Sequence, residues 1–483
     1  AGECHGVPAQ CTAASDCNDN NACTNDSCTS GACKVLLKVN GAVCDDGDAC
    51  SSDDGCVAGV CLGTADPTTP GCTPLGPDED AFQAALALYS ALDYTGAMAA
   101  FDAFRTAFPT SARLDNAVFL LARCQFELGL LAPARDGFEA FAGLFPTSPF
   151  ADDAAYYLAR TDFELLAFST AAGEFQAFLD SQSTSNFIEF ARYYLGRSEY
   201  EQGHWGAAVA ALQPVIDTPA SALRDAALYW AGRSSYEWGR ADGSPGSAHF
   251  PEAEAYLLQG ILGYPASSYG DNLHYYYGMA AWQRGAHAAV VTRMDALLAS
   301  YPSSTYRDGA AYYAARAEYE LAHYPSAISR FDAFIATWPA PTGYRDGALY
   351  YAGRAHFQQG VLGVNAALEF QAATVRFESV VSESPTSGYA DNAHYFGARS
   401  YHRLAKSLGV SPETNYAAAL AHYRAVHETF PSSSYADNAW RYEVEADVEQ
   451  GLCGDAQTAL GAFQTAFPSS SELAKAVASV QGC

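Results

Sequence analysis

Lysine is nearly missing from this chain: Lys34, Lys38, Lys406 and Lys475 are all it has in 483 residues. Arginine supplies the remaining positive charge, scattered along the sequence, and the formal net charge is −28. With no basic cluster to neutralise phosphates, nucleic acid is excluded as a partner. Docking on an anionic membrane through a polybasic patch is excluded for the same reason. No run of about 18 apolar residues occurs, so no membrane insertion is expected. Catalytic signatures are missing as well: there is no H-E-x-x-H, no G-x-S-x-G and no phosphate-binding glycine loop. His422 and His427 stand five apart, a spacing that does not set both on one helix face as ligands. The chain is therefore read as a non-enzyme without a resident cofactor. No C-x2-C pair and no C-x-x-C-H occurs, which argues against a zinc cluster and against c-type haem.

Cysteine is present but unevenly spread. Of 14 cysteines, only Cys124, Cys453 and Cys483 lie beyond Cys72. Such density in a short stretch means disulfides standing in for a core too small to hold itself, and hence an oxidising compartment. Cys17, Cys23, Cys28 and Cys33 are spaced C-x5-C-x4-C-x4-C, and Cys44, Cys50, Cys56 and Cys61 repeat this as C-x5-C-x5-C-x4-C. The module, residues 1–63, is thus a tandem repeat. Its spacing and the recurrent "ACTNDSC"-type text resemble the cysteine-rich repeats of slime-mould extracellular-matrix proteins and of secreted bacterial proteins. The resemblance implies an extracellular, structural setting. Asp16, Asp19, Asp26, Asp45, Asp46 and Asp48 are candidate calcium ligands, set against the plainer reading of a solvated acidic loop. Residues 64–77 hold Pro67, Pro70, Pro74 and Pro77 and read as a stiff linker, with Thr64, Thr68, Thr69 and Thr73 as candidate O-glycan sites. The chain opens on Ala1, which predicts a mature protein whose leader has been removed and which carries no lipid on its first residue.

From residue 78 to about 470 one unit recurs, followed by a capping helix over 471–483. Its punctuation is proline followed by Ser or Thr: Pro265, Pro302 and Pro339 stand 37 apart, while Pro339, Pro385 and Pro431 stand 46 apart. Within a unit the text runs Asp, x, Ala, x, aromatic, aromatic, x, small, Arg, x, x, aromatic, Glu, as in "DDAAYYLARTDFE" from Asp152. Apolar residues three and four apart predict two amphipathic helices per unit, with Ser or Thr capping at the junctions. Longer units place their extra residues near 241–250, 360–368 and 408–415, in the turn between the two helices, and so on one edge. "YYLGRSEYEQGHWGAAVAAL", with Gly196, Tyr200, Gly203 and Ala208, is similar to the tetratricopeptide family. That resemblance implies an all-α, right-handed solenoid of about ten helix pairs behind the loop-dominated disulfide module. The "FP-S-S-x-Y-A-D-N-A" junctions look most like the envelope tetratricopeptide proteins of Gram-negative bacteria.

In that family the first helix of each unit lines the concave face. The resemblance then offers a groove of Tyr156, Arg160, Tyr193, Arg197, Tyr229, Arg233, Tyr275, Trp282, Tyr312, Arg316, Tyr350, Arg354, Tyr395 and Arg399, suited to a peptide or glycan. The competing reading is packing, since Glu127, Glu164 and Glu320 follow an Arg by four residues and the pattern recurs in every unit. Met279, His402 and Glu445 break it. Two disulfides are expected outside the module. Cys453 with Cys483 would close the last repeats, and Cys124 would take the odd module cysteine, Cys72, unless it is a buried free thiol. The function expected is a secreted or cell-surface interaction protein that assembles head to tail with other copies of itself. The alternatives are a periplasmic assembly scaffold and a peptide or glycan receptor.

Overall fold

A computed structural model describes residues 23–29, 32–38, 42–45, 51–57, 60–65, 76–182, 185–339, 343–481 and 483. Two compact units are distinguished, Ala1–Tyr269 and Gly270–Cys483. The first holds β1 (Thr24–Thr29), β2 (Ala32–Leu37), β3 (Ser51–Val57) and β4 (Val60–Ala65), then α1 (Pro77–Ser90), α2 (Tyr94–Ala107), α3 (Leu114–Glu127), α4 (Leu131–Leu144), α5 (Ala151–Glu164), α6 (Phe168–Ser181), α7 (Ile188–Glu201), α8 (Trp205–Ile216), α9 (Arg224–Ala241) and α10 (His249–Gly263). The second holds α11 (Gly270–Gln283), α12 (His287–Ser300), α13 (Arg307–Glu320), α14 (Tyr324–Thr337), α15 (Arg345–Val361), α16 (Ala366–Glu383), α17 (Ala390–Lys406), α18 (Pro412–Thr429), α19 (Ala436–Glu449), α20 (Cys453–Ala466) and α21 (Leu473–Val480).

The cysteine module is less irregular than expected. Each copy carries an antiparallel hairpin, β1 with β2 and β3 with β4, and Cys28 faces Cys33 in one as Cys56 faces Cys61 in the other. Cys23 and Cys56 are joined, a bond from the first copy to the second, and Cys44 is disulfide-bonded as well. The sulfurs of Cys23, Cys44 and Cys56 lie within 4.8 Å of one another, but as oxidised cysteines they are not thiolate ligands for a metal.

Within each unit an odd-numbered helix packs on the even-numbered helix that follows, and that helix on the next odd one. The odd helices also meet in succession, α3 to α9 in the first unit and α13 to α19 in the second, which arrays the first helices of the pairs along one face. This is the helical-repeat solenoid that the periodicity predicts, with α21 closing the last pair. The pattern is dictated by a few positions of a 14-residue first helix. Its fourth residue is usually Ala, and Ala117, Ala154, Ala191, Ala310, Ala348, Ala393 and Ala439 are all fully buried where larger side chains would hold the helices apart. Gly196 serves the same close approach: a β-carbon there would lie 2.5 Å from Leu212 Cγ on the partner helix.

The junctions work differently from the capping expected of them. Among the described helix ends only α2 has a side-chain cap, Asp93 accepting from the Gly96 amide at 2.9 Å. The junction serine instead donates to the aspartate that starts the preceding first helix: Ser111 to Asp78, Ser148 to Asp115 and Ser267 to Asp225 at 2.7 Å each, and Ser470 to Asp437 at 2.8 Å. The Ser and the Asp of the motif are therefore one interaction, made between consecutive pairs. A second correction concerns the longer units. Their extra residues are largely wound into the helices, α15, α16, α17 and α18 reaching 17 or 18 residues where the shorter units use 14.

Candidate functional site

The expected tyrosine groove is not a surface. Tyr156, Tyr193, Tyr229, Tyr312, Tyr350 and Tyr395 are each exposed by 7% or less, and Tyr275 is half-buried. Most first rings of the aromatic pairs pack on the junction aromatic of the next unit. Tyr156 stacks on Phe187 at 4.3 Å, Tyr229 on Tyr269 at 4.8 Å, Tyr275 on Tyr306 at 4.4 Å, Tyr350 on Tyr389 at 4.9 Å and Tyr395 on Tyr435 at 4.3 Å. The arginine lies over the second ring of the following pair: Arg123 over Tyr157 at 3.7 Å, Arg160 over Tyr194 at 4.0 Å, Arg197 over Trp230 at 4.7 Å, Arg316 over Tyr351 at 3.2 Å and Arg354 over Phe396 at 3.8 Å. Arg233 bonds the Tyr229 hydroxyl at 2.8 Å, and Trp282 meets Tyr313 edge-on. These groups are stacking contacts between consecutive helix pairs, because a ladder of half-buried cations over rings stabilises every interface alike. Arg316→Ala is expected to destabilise the second unit by about 1–2 kcal/mol, and Arg316→Lys by less, in denaturant titrations.

The charge on three of the ladder arginines is answered from their own helix. Arg123 pairs with Glu127 at 2.6 Å, Arg160 with Glu164, and Arg316 Nε with Glu320 at 3.0 Å. In these helices the glutamate is the fourteenth residue; α11 and α15 hold the neutral Gln283 and Gln358 there, and α17 holds a cation. Its ladder arginine, Arg399, lies over Tyr442 at 4.2 Å as usual, but the fourteenth position holds Arg403. Two arginines one turn apart repel where the glutamate-bearing units attract. Lys406 follows in the extra turn that the long repeat adds, and Arg441 of α19 faces them where other units place the first tyrosine. Together with His402, Ser407, Tyr442 and Glu445 these side chains line a cleft of about 220 Å³. In a chain of net charge −28 this is a local reversal of sign.

The cleft is braced from beneath. Glu449 accepts from His402 Nε2 at 2.8 Å and from the Tyr416 hydroxyl at 3.0 Å, and it pairs with Lys406. Burial would raise its pKa, but the bonds from His402 and Lys406 win and hold it down to about 2. Arg441 is tied to Glu445 at 2.7 Å and Glu472 at 2.8 Å, so its guanidinium is fixed in the wall. Arg399 donates to the Tyr395 hydroxyl at 3.1 Å. Arg403 is exposed, and no ion pair to it is found among the described residues. Fixed cations with spare donors hold carboxylates or other oxyanions, which is what this arrangement can do chemically. The sequence marked His402 and Glu445 as departures from the pattern; it also carried Arg403, legible as an arginine in the glutamate column, which was passed over.

The remaining sites divide between outcomes. Cys453 and Cys483 are bonded, with Cα atoms 5.5 Å apart. The Cys72–Cys124 bond is corrected: Cys124 is a free thiol, fully buried among Ala117, Leu121 and Phe104, and burial pushes its pKa up to about 12. It sits in the apolar packing of the first two helix pairs, and Cys72 lies outside the described residues. So do Asp16, Asp19, Asp46, Asp48, Thr68, Thr69 and Thr73, and the side chains of Asp26 and Thr64; Asp45 is exposed.

A family model described as an outer membrane lipoprotein (YfiO) matches residues 267–446, and one for the tetratricopeptide repeat matches residues 116–148. No curated protein matches the sequence. Among solved structures, the C-terminal part of a TPR repeat-containing protein from Cytophaga hutchinsonii is similar over 57% of this chain and 98% of its own, at 17% identity and a TM-score of 0.44. A tetratricopeptide repeat protein from Parabacteroides merdae is similar over 59% of this chain and 98% of its own, at 13% identity and a TM-score of 0.36. No helix among the described residues is long and apolar enough to cross a membrane. The chain carries tetratricopeptide repeats, and the stretch that contains the cleft residues Arg399 to Glu445 is similar to the outer membrane lipoprotein family.

Proposed function

We propose that this chain is a non-catalytic protein-interaction scaffold, working in the cell envelope or outside the cell, that holds carboxylates of a protein partner in the cleft between α17 and α19. The observation that carries this reading is Arg403. A change of a repeat column toward like-charge repulsion costs stability, and no ion pair among the described residues compensates this one, so an anionic group from outside is the partner that fits. The compartment is supported by the disulfides Cys23–Cys56 and Cys453–Cys483, which persist under oxidising conditions, and by the outer membrane lipoprotein match over 267–446. A glycan receptor built on the tyrosines loses its support, because those rings are buried between helix pairs.

The test is fluorescence anisotropy of a labelled polyaspartate peptide with the full chain. Binding is expected at low salt and is expected to weaken steeply as salt rises. Arg403→Glu should weaken it by about tenfold or more, and Arg316→Lys, in the ladder, should leave it unchanged. No binding, or binding indifferent to Arg403→Glu, would remove the proposal.

A further inference from the structure

Resting on that reading, we infer that the cleft's occupant is the aspartate-rich N-terminal module of another copy of this chain. The residues from 45 to 54 read Asp-Asp-Gly-Asp-Ala-Cys-Ser-Ser-Asp-Asp and include no cation. The cleft, at about 220 Å³, admits side chains and not a folded domain, so its occupant must present carboxylates on a narrow projecting element. The module supplies that shape: the β3–β4 register shifts between Ser52 and Gly55, and Asp53 sits in this bulge, exposed, with a left-handed φ of 57°. A bulge bends its strand and re-aims the side chains on it, here an acid.

Charge decides between partners. Two copies of net charge −28 repel over most of their surface, so contact between them requires a place where the sign is reversed. Arg399, Arg403, Lys406 and Arg441 form such a place. Arg441 and Lys406 pair with glutamates and Arg399 lies over Tyr442, but Arg403 adds a cation with no ion pair among the described residues. The ladder arginines Arg123, Arg160 and Arg316, by contrast, each pair with a glutamate. The module precedes the first helix pair in sequence, and the cleft belongs to the last two complete pairs. Contact between two such different surfaces is heterologous, and contacts of this kind propagate from copy to copy instead of closing on a twofold axis. The general acidity then keeps neighbouring polymers apart.

The experiment uses the full chain and its charge reversals, followed by light scattering over a wide concentration range. Wild-type mass should rise with concentration at low salt and return to that of the monomer at high salt. Arg403→Glu should weaken self-association by about tenfold or more, and so should Asp45→Lys with Asp53→Lys. An equimolar mixture of the two variants should regain association, because the reversed module meets the reversed cleft. That recovery shows both variants to be folded and the contact to be direct. A wild-type chain that stays monomeric at every concentration, or association that ignores either reversal, overturns the inference. If the monomeric chain still binds polyaspartate through Arg403, the scaffold reading survives with a different acidic protein as partner; if it binds neither, both readings fall.

Discussion

Replacing Cys453 with serine is expected to lower the stability of the last repeat by about 3–4 kcal/mol, with the loss confined to α20 and α21. The bond joins the first residue of α20 to Cys483, beyond α21, across a sequence separation of 30. The α19–α20 pair is covered by α21 alone among the described helices that follow it, and α21 is only 8 residues long with Ala476 as its buried contact. Val444, Ala456, Ala459, Phe463 and Ala476 form a small terminal cluster, which holds α21 weakly without the cross-link. In repeat proteins such an end unit frays on its own, since each repeat is stabilised chiefly by its neighbours. Hydrogen exchange should therefore show protection lost in 453–481 and kept in α15 to α18. Cys483→Ser should match Cys453→Ser, and the double variant should be no worse than either. If reducing agent leaves exchange in α20 and α21 unchanged in the wild type, this account fails.

Asp447→Asn is expected to stabilise the second unit by about 2 kcal/mol at pH 8 and by much less, under about 0.5 kcal/mol, at pH 4, close to the unfolded pKa. Asp447 is 1% exposed, and neither carboxylate oxygen has a hydrogen-bond partner. Burial first, and the neighbouring Glu443 second, push its pKa up to about 6, although Arg424 pulls it down. A folded-state pKa above the unfolded value means that the folded protein binds the proton more tightly. Its stabilising effect is complete below the unfolded pKa, and it is lost as pH rises through about 6, when a bare charge must be kept in the core. Asparagine has the same shape and no charge, so it removes the loss. Asp153, raised to about 6 by burial and by Asp152, and Glu174, raised to about 7 by burial and by Asp162, act with the same sign in the first unit. Glu449, held down to about 2, acts oppositely and withdraws its stabilisation only as the pH falls through that value. Thermal melts of wild type and Asp447→Asn at the two pH values check the prediction. Equal differences at both would show that ionisation of Asp447 is not the cause.

The acidic residues illustrate how a repeat pattern can be read and misread. Asp78, Asp115 and Asp437 stand in the first turns of their helices, where an acid suits the helix dipole. They also accept from a serine one unit later, a partner more than 30 residues away that no local rule proposes. The paired tyrosines looked like a binding face because Tyr and Arg mark hot spots at interfaces. Stacked units are themselves interfaces, and the same chemistry is used up between them. The packing alternative was available in the sequence, since a column repeated in every unit is more often common architecture than one ligand's contacts.

Helix pairing was determined by sequence alone: apolar spacing of three and four, prolines at regular intervals and small residues in fixed columns leave no other way to bury the aromatic rings. The charge class and the C-terminal staple were equally legible, because net charge and cysteine placement do not depend on how helices are arranged. Only the tertiary structure decided which faces are surface. Exposure of Tyr156 or Tyr395 depends on whether the next unit's junction aromatic, Phe187 or Tyr435, lies over it. Whether Cys124 can reach another thiol depends likewise on the side chains packed around it. The cleft was decided the same way. Arg399 and Arg403 are neighbours on one helix by sequence, but Arg441 joins them only because α19 packs beside α17 and turns that face toward them. Periodicity sets what each helix offers, and the packing of consecutive helices settles which of those offers remain open.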